Sequence, residues 1–348
     1  MNNEKWHWQE SGTAWRGIGI YHVTLVVPSR ETLLGSLKIP EDNPAKAYVE
    51  RTDLGESIVN EIYHLGKIHT EIRILQFCLM PDHLHFIIHV TRPMKLSIRR
   101  VMQAFWQGAK RIGRAYTLSV VSALNAKSIN KVDEELHDAF PIFTEQPFVR
   151  PLSRKGQLQT MYRYIQMNPY RLATKKLKPG YFCVQRGVEI GGRKYDIVGN
   201  AAILTAERHM PVHVRRVMVE AAVHGNDTAL RDYMNACVLA AREGAVMVSP
   251  FISPDEKRIQ TKLLEEELPF IYIADNGFGE YYKPVDVLFE AVAAGKVLIL
   301  SPWEYDPKKG HVTREECVVM NKMAEEICEG LAGDVVLNTT AIDKVRAA

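Results

Sequence analysis

The stretch TEIRILQFCLMPDHLHFIIHV, residues 70–90, decides the fold of the first half of the chain. Its two apolar segments, 70–79 and 84–90, are rich in the β-branched and aromatic residues that predict strands. The Met-Pro-Asp sequence at 80–82 predicts a tight turn between them. An earlier segment, 18–27 (IGIYHVTLVV), has the same character and predicts another strand. Three strands are therefore expected before residue 91.

Helical segments surround these strands. Apolar residues recur with helical spacing at 96–116, and further helices are expected at about 44–66 and 155–168. The last of these is expected to stop at Pro169, because the residue before a proline disfavours helical geometry. A polar stretch at 122–138 predicts a loop or an insertion.

The character of the chain changes after about residue 200. Short apolar strands are predicted at 244–249, 269–274 and 296–301, between helices at 227–242, 253–266, 284–294 and 313–330. Such an alternation predicts a parallel, doubly wound sheet. The expected fold class is therefore α/β, with an N-terminal domain at 1–205 and a Rossmann-like domain at 206–348.

The composition excludes several classes of protein. Hydrophobic residues make up 46% and charged residues 24% of the 348 residues, which is ordinary for a soluble globular protein. No apolar run approaches the ~18 residues of a membrane-spanning helix, and the polar start does not resemble a signal peptide. The five cysteines are scattered without a CxxC pair, so buried reduced thiols and a cytoplasmic location are expected.

The net charge of +3 conceals an asymmetry between the two halves. Residues 1–200 hold 28 Lys and Arg against 18 Asp and Glu, whereas residues 201–348 hold 16 against 23. No acidic residue occurs between Glu145 and Glu189. Clustered positive charge favours the binding of a polyanion through counterion release, and a merely solvated basic face is the alternative.

His83 and His85 form the strongest local signal of chemistry. In a strand, residues two apart point to the same face, so both imidazoles can reach one metal ion while Leu84 points to the core. Two buried or solvent-facing histidines are the alternative, and that alternative would be preferred for an isolated His-x-His. The position after a tight turn, at the start of an apolar strand, favours the metal site because it fixes the ligands on a rigid element.

The second signal is the sequence YIQMNP at 164–169. On a helix, Tyr164 and Asn168 are four residues apart and share a face, so a phenol and an amide oxygen can face the same ion. The alternative is an amphipathic helix in which Tyr164 only packs, and without the histidines it would be preferred. Gln166 lacks this spacing and is not expected to be a ligand.

Together the two segments resemble the REP-associated and insertion-sequence-type single-tyrosine transposases of the HUH class. FCLMPDHLHFIIHV (77–90) matches that family's Met-Pro-(Asp/Asn)-His-hydrophobic-His strand, and YRYIQMNPYR (162–171) matches its Tyr-Ile-x-x-Asn-Pro helix. YHVTLVV (21–27) also resembles the family's first strand. The resemblance covers about residues 15–185, and the stretch at 122–138 is longer than the family's pattern.

The resemblance implies a small antiparallel sheet flanked by helices that binds single-stranded or hairpin DNA as a homodimer. It also implies that Tyr164 attacks a DNA phosphate to give a 5′-phosphotyrosine link and a free 3′-OH. His83, His85 and Asn168 would hold a divalent metal, Mg²⁺ or Mn²⁺, which polarises the scissile phosphate. The expected function is that of a transposase or DNA strand transferase. A nickase of the replication-initiator or relaxase type and a non-catalytic DNA-hairpin-binding protein are the alternatives.

Further residues are assigned from their position in these elements. The candidates for contacts with DNA are basic residues of the predicted helices and of the stretch without acidic residues: Arg99, Arg111, Arg150, Arg154, Lys155, Arg163 and Arg171. Asp82 either orients a metal-bound histidine or only makes the turn. His89 shares the strand parity of the two histidines and is expected at the surface or in packing. Trp106 is expected in the core.

The second half is similar to the Rossmann-like core of DNA-processing protein A, through VSP at 248–250 and GKVLILSP at 295–302. The glycine-rich loop that this family has after its first strand is absent, because Ser-Pro-Phe stands at 249–251. Parallel sheets bind ligands at the carboxyl ends of their strands. The candidates there are Ser249, Ser253, Asn276, Lys283, Ser301, Trp303 and Arg314. No particular ligand is indicated, and a structural or interaction domain is the alternative.

Overall fold

The computed structural model describes residues 18–124, 142–143, 147–280 and 282–332. The chain divides into two compact units, the first ending at Thr174 and the second beginning at Lys175. Both units combine helices with strands, so the predicted α/β class is confirmed. Within these ranges, no helix has the length and hydropathy that crossing a bilayer requires.

The first unit is built around a small antiparallel sheet. Its described elements are β1 (Gly19–Val26), β2 (Gly35–Lys38), β3 (Tyr48–Arg51), α1 (Asp53–Ile68), β4 (Ile72–Leu79), β5 (His83–Val90), α2 (Ile98–Leu124), β6 (Phe148–Pro151), α3 (Gln157–Gln166) and α4 (Asn168–Leu177). The sheet has the strand order β4-β5-β1-β6, with each pair antiparallel. Strands β2 and β3 form a separate antiparallel ribbon.

The two faces of this sheet have different roles. Leu84 and Phe86 of β5 are fully buried and pack in the main core with residues of α1 and α2. The alternate residues His83, His85 and Ile87 point to the opposite face, because side chains alternate along a strand. Helix α3 packs against β4 and β5 on that opposite face. The sheet therefore separates a purely apolar core from the face that carries the histidines.

The turn before β5 is held by backbone hydrogen bonds from outside the hairpin. The N–H of Val27, just after β1, donates to the carbonyl of Asp82 over 2.9 Å. The N–H of Leu34, just before β2, donates to the carbonyl of Pro81 over 3.0 Å. Since each bond fixes one peptide of the turn, the start of β5 is positioned independently of its side chains.

The segment around Leu34 is held in turn by the start of α1. Thr52 donates its N–H to the carbonyl of Leu34 over 3.2 Å, and its hydroxyl accepts from the N–H of Gly55, which caps the helix. A Cβ at Gly55 would overlap the carbonyl oxygen of Leu34. Helix α1 therefore begins at Asp53, later than the predicted residue 44, because the capping residue and β3 precede it.

The second unit contains a mixed sheet. Its described elements are α5 (Pro179–Phe182), β7 (Gln185–Ile190), β8 (Arg193–Gly199), β9 (His209–Pro211), α6 (Arg216–Val223), α7 (Thr228–Arg242), β10 (Val246–Ser249), α8 (Pro254–Glu265), β11 (Phe270–Ile273), α9 (Asp286–Ala293), β12 (Val297–Ser301) and α10 (Arg314–Ala332). The described strand order is β7-β8-β12-β11-β10-β9. Strands β10, β11 and β12 are parallel, as predicted. Strand β9, which pairs parallel to β10, was not predicted, and neither were β8 and β7, which extend the sheet with antiparallel pairs.

The units divide the chain earlier than the predicted boundary at residue 205. Strands β7 and β8 belong to the second sheet, because β8 pairs with β12. Their sequence, QRGVEIGGRKYDIVG (185–199), mixes charges and glycines and lacks the apolar character of the strands that they join. The predicted loop at 122–138 overlaps the end of α2 up to Leu124 and otherwise lies outside the described residues.

Gly55→Ala is expected to destabilise the protein by roughly 1–3 kcal/mol, the usual cost of overpacking, because the added methyl group overlaps the Leu34 carbonyl. Gly66→Ala on the same helix is the matched control, since the nearest neighbour of its Cβ would be Ile74 Cγ1 at 3.8 Å. Alanine's helix propensity should make that control neutral or stabilised by up to about 1 kcal/mol. Urea unfolding measures both variants, and equal midpoints would contradict the close approach at Gly55.

Candidate active site

His83 and His85 lie at the start of β5, directly across from β1. The register pairs His83 with Val26 and His85 with Thr24. Both imidazoles are on the sheet face that α3 covers, whereas Leu84 between them is buried in the main core. Their ring centroids are 4.9 Å apart, with an interplanar angle of 79°. The structure thus brings the two imidazoles together, as the alternation of a strand requires.

His85 is buried, and two side chains of β1 contact its Nδ1 atom. Thr24 Oγ1 lies 2.9 Å and His22 Nε2 lies 3.1 Å from this nitrogen. Burial, assisted by the positive charge of Arg150, lowers the pKa of His22 to about 4, so His22 is neutral near pH 7. A hydroxyl and a neutral imidazole therefore orient the His85 ring without placing a charge beside it. Neither residue was identified from the sequence.

His83 is oriented by a carboxylate. Its Nδ1–H donates to Oδ1 of Asp82 over 2.6 Å, and the other oxygen of Asp82 accepts from Arg30 over 3.3 Å. Burial works to raise the pKa of Asp82, but the hydrogen bond and charge of His83, together with Arg30, hold it below its ordinary value. Asp82 is thus ionised at neutral pH and does more than form the turn. A carboxylate on one ring nitrogen is the usual arrangement of a metal-ligating histidine.

Tyr164 approaches the histidines from α3. Its ring centroid lies 5.6 Å from that of His85, with an interplanar angle of 73°. The next residue, Ile165, is fully buried and packs with Ile87 of β5 and with Leu152. This apolar contact holds α3 against the sheet face that carries the histidines. The three residues predicted to perform the chemistry therefore lie within one cluster.

Asn168 is not on the same helix as Tyr164. Helix α3 ends at Gln166, and α4 begins at Asn168 with Pro169 in its first turn, so the predicted single helix that stops at Pro169 is wrong. Proline is tolerated there because the first N–H groups of a helix have no acceptor within it. Asn168 is nevertheless buried, and its side-chain nitrogen has no hydrogen-bond partner among the described residues.

The groups that could hold a divalent metal are two imidazoles and one amide. His83 and His85 would supply nitrogen ligands, and the buried Asn168 amide would supply its oxygen. Across the described ranges, no group of three or more His, Cys, Asp or Glu side chains is arranged to hold a metal ion. The donor set therefore fits only a site that water or phosphate completes. Oxygen ligands suit Mg²⁺ and Mn²⁺, and the imidazoles favour Mn²⁺.

The basic residues predicted to contact DNA lie in different environments. Two are on α2, whose buried residues pack on the opposite face of the sheet: Arg99 and Arg111. Three are exposed immediately before or along α3: Arg154, Lys155 and Arg163. Arg150 of β6 stands opposite His22 of β1, so it is on the same side of the sheet as the histidines. Only part of this set therefore surrounds the candidate site.

Arg171 differs from the other basic residues because it is buried, with 3% of its surface exposed. Its guanidinium carbon lies 5.6 Å from the centre of the Tyr164 ring. The sequence listed Arg171 among the candidates for contacts with DNA, and the structure places it beside the predicted nucleophile. It is thus a component of the candidate site.

The ligand candidates of the second unit make contacts within that unit. The buried hydroxyls of Ser249 and Ser301 accept from the N–H groups of Phe251 and Trp303. The Asn276 side chain bonds the backbone of Asp306, Lys283 lies 6.0 Å from the Phe289 ring, and Arg314 is exposed at the start of α10. Most of these side chains therefore have a structural role.

The Glu256 side chain forms hydrogen bonds with backbone N–H groups around the end of β10 and the start of α8. Its carboxylate accepts from the N–H groups of Val214, Ile252 and Ser253, each over 3.0 Å. Ser253 reciprocates by capping α8 through the N–H of Glu256. A helix start after a parallel strand is where Rossmann-like sheets bind phosphate. In this chain an internal carboxylate already satisfies those donors.

No family model matches the chain. A relative by sequence is an uncharacterised protein of Haemophilus influenzae, which is 25% identical over 158 residues. That match covers 44% of this chain and 82% of the relative.

Solved structures that are similar to parts of this chain include three proteins of DNA metabolism. One is a REP-associated tyrosine transposase bound to a REP hairpin, with a TM-score of 0.29 and 13% identity over 47% of this chain and 74% of that one. Another is DNA processing protein A of Helicobacter pylori, described for its single-stranded DNA binding mode, with a TM-score of 0.29 and 15% identity over 43% and 67%. A proposed transposase of Deinococcus radiodurans has a TM-score of 0.24 and 14% identity over 45% and 96%. Scores this low carry no argument about activity, so the chemistry is inferred from the site itself.

Proposed function

We propose that this protein is a metal-dependent, single-tyrosine DNA nuclease and strand transferase that acts on single-stranded or hairpin DNA. The observation that carries the proposal is the meeting of Tyr164, His85 and His83 on one sheet face, with successive ring centroids 5.6 and 4.9 Å apart. A phenol is a competent covalent nucleophile, and two oriented imidazoles are suitable metal ligands. The basic stretch around them supplies affinity for DNA.

In the proposed reaction, Tyr164 attacks a phosphorus atom of the DNA backbone. The bond that forms joins the Tyr164 oxygen to phosphorus, and the bond that breaks joins phosphorus to the 3′ oxygen. The phenolic proton passes to solvent, and the leaving 3′ oxygen takes up a proton. Attack by the 3′-OH of another strand reverses these steps and rejoins the DNA. One phosphate ester replaces another, so no ATP is required.

The residues around Tyr164 would orient the metal ligands, hold the metal and stabilise negative charge. Thr24 and Asp82 orient the two histidines, which would hold the metal with Asn168. When bound, a divalent metal polarises the scissile phosphate and stabilises the charge that develops on it. Arg171 places a buried positive charge beside the Tyr164 ring, where it stabilises negative charge on the phenol oxygen or the phosphate.

A nickase of the replication-initiator or relaxase type would use the same residues, and the two functions differ in their products. Strand transfer yields a joined strand, whereas a nickase yields only the cut strand and the adduct. A non-catalytic hairpin-binding protein would not require Tyr164 beside the histidines. The homodimer implied by the resemblance stays a prediction.

Tyr164→Phe is expected to fold and bind DNA like the wild type but to form no covalent adduct, because the substitution removes the nucleophilic oxygen and little volume. The readout is a slowly migrating protein–oligonucleotide band that survives SDS and disappears with protease. Tyr162→Phe and Tyr170→Phe are the matched controls and should retain the band. A band of wild-type intensity from Tyr164→Phe would show that another residue is the nucleophile.

His83→Ala and His85→Ala are each expected to abolish the adduct and to weaken Mn²⁺ binding by at least about tenfold, as losses around metal sites typically do. Affinity for DNA should change little, since the basic residues supply it. Mn²⁺ binding is measured by calorimetry on the DNA-free protein. His89→Ala is the control, because His89 shares the strand and its parity but pairs with Ile20, farther along β1. Unchanged Mn²⁺ affinity in both variants would rule out this metal site.

A further inference from the structure

A groove runs along the outer side of α3. It has a volume of about 1040 Å³, and its walls include Tyr162 and Tyr170 together with Ala45 and Ala47. Tyr162 precedes Tyr164 by two residues, which places their side chains about 200° apart around the helix. The groove is therefore a separate surface from the candidate active site, although both are built on α3.

The polar groups of the groove are cationic or neutral. Three of its lining side chains are a guanidinium and two amides: Arg163, Gln159 and Gln166. The walls formed by α3 and α4 carry no carboxylate, because the chain has no acidic residue between Glu145 and Glu189. Arg154 and Lys155 are exposed immediately before α3. The charge of this surface is thus complementary to a polyanion.

Aromatic rings beside a cation and neutral amides are the pattern with which proteins bind unpaired nucleic-acid strands. Bases stack on the rings, while cations follow the phosphates. Stacking of this kind tolerates any sequence, since every base has a π face. Tyrosine and arginine are also frequent at protein–protein interfaces, so the choice of occupant rests on charge. The basic residues of this surface, with no carboxylate on the walls formed by α3 and α4, favour a strand of nucleic acid.

We propose that this groove binds unpaired bases of the DNA strand that the active site cleaves, with a base stacked on Tyr162 or Tyr170 and a phosphate on Arg163. This inference rests on the proposed function, which supplies the strand. Both surfaces are built on α3, because Tyr162, Arg163 and Gln166 of that helix line the groove and Tyr164 carries the proposed nucleophile. The groove would select unpaired DNA over a duplex of equal charge.

The test measures binding by the full chain in chelator, with oligothymidylate and with a blunt DNA hairpin that has the same number of phosphates. Tyr162→Ala, Tyr170→Ala or both are expected to weaken oligothymidylate binding by about tenfold, a usual loss for one base–aromatic stack, and to leave hairpin binding unchanged. The Phe variants at the same positions keep the ring and should bind like the wild type. Arg163→Gln should lower the salt dependence of oligothymidylate binding by about one unit.

A second measurement uses the unaltered protein, so its result can be interpreted even if an alanine variant does not fold. An oligonucleotide with 5-iodouracil in place of thymine is bound and irradiated, and the crosslinked peptide is sequenced. Crosslinks to Tyr162 or Tyr170 support the groove, whereas crosslinks confined to other residues, or none, overturn it. Full oligothymidylate affinity in both alanine variants, or equal losses in the alanine and phenylalanine variants, overturns it as well.

These outcomes are independent of the covalent adduct. If the alanine variants bind oligothymidylate normally but Tyr164 still forms the adduct, the groove proposal is wrong and the proposed function stands. Conversely, if no adduct forms but oligothymidylate still binds the groove, the proposed nuclease activity is wrong and the groove remains a binding surface for unpaired DNA. If the groove instead docks a protein, neither alanine variant changes the affinity for DNA.

Discussion

The register between β1 and β5 is the constraint on which the whole site depends. It places Thr24 opposite His85, so side chains from two strands converge on one imidazole. A slip of one residue would turn His83 and His85 into the core and expose Leu84, because side chains alternate with a period of two. Leu84 is fully buried, and its burial opposes such a slip. Burial of the apolar side chains on one face of the sheet therefore keeps His83 and His85 on the other face.

Helix α3 adds the proposed nucleophile, Tyr164, to the sheet face that carries the histidines. Ile165 of α3 packs against Ile87 of β5, and this contact positions the neighbouring Tyr164 beside the histidines. The Tyr164 ring then lies near a candidate metal ligand and a buried cation, with His85 and Arg171 each 5.6 Å from it. A phenol is a weak nucleophile at neutral pH, since its unperturbed pKa is about 10. Arg171, together with a metal ion held by the histidines, would supply the positive charge that covalent attack on a phosphate needs.

The sequence was sufficient for the features that depend on local periodicity. Strand alternation placed His83 and His85 on one face, and most of the helices and strands that the sequence predicted lie close to their observed positions. His22 and Thr24 were missed because their role arises only from the pairing of β1 with β5, and the alternation of polar residues in YHVTLVV was the one available signal. The break between α3 and α4 and the burial of Arg171 depend on tertiary packing. For the same reason, nothing local in β7 and β8 showed which sheet they join.

The proposed function depends on a covalent bond between Tyr164 and DNA, and mapping the modified residue is the direct test of that bond. The wild-type protein is incubated with Mn²⁺ and a single-stranded oligonucleotide, and the adduct is digested with nuclease and trypsin. The peptide that carries the nucleotide is then sequenced by mass spectrometry. We expect the peptide YIQMNPYR (164–171), with the nucleotide joined through its 5′ phosphate to Tyr164. A nucleotide on Tyr170 or any other residue, or a link through a 3′ phosphate, would contradict it.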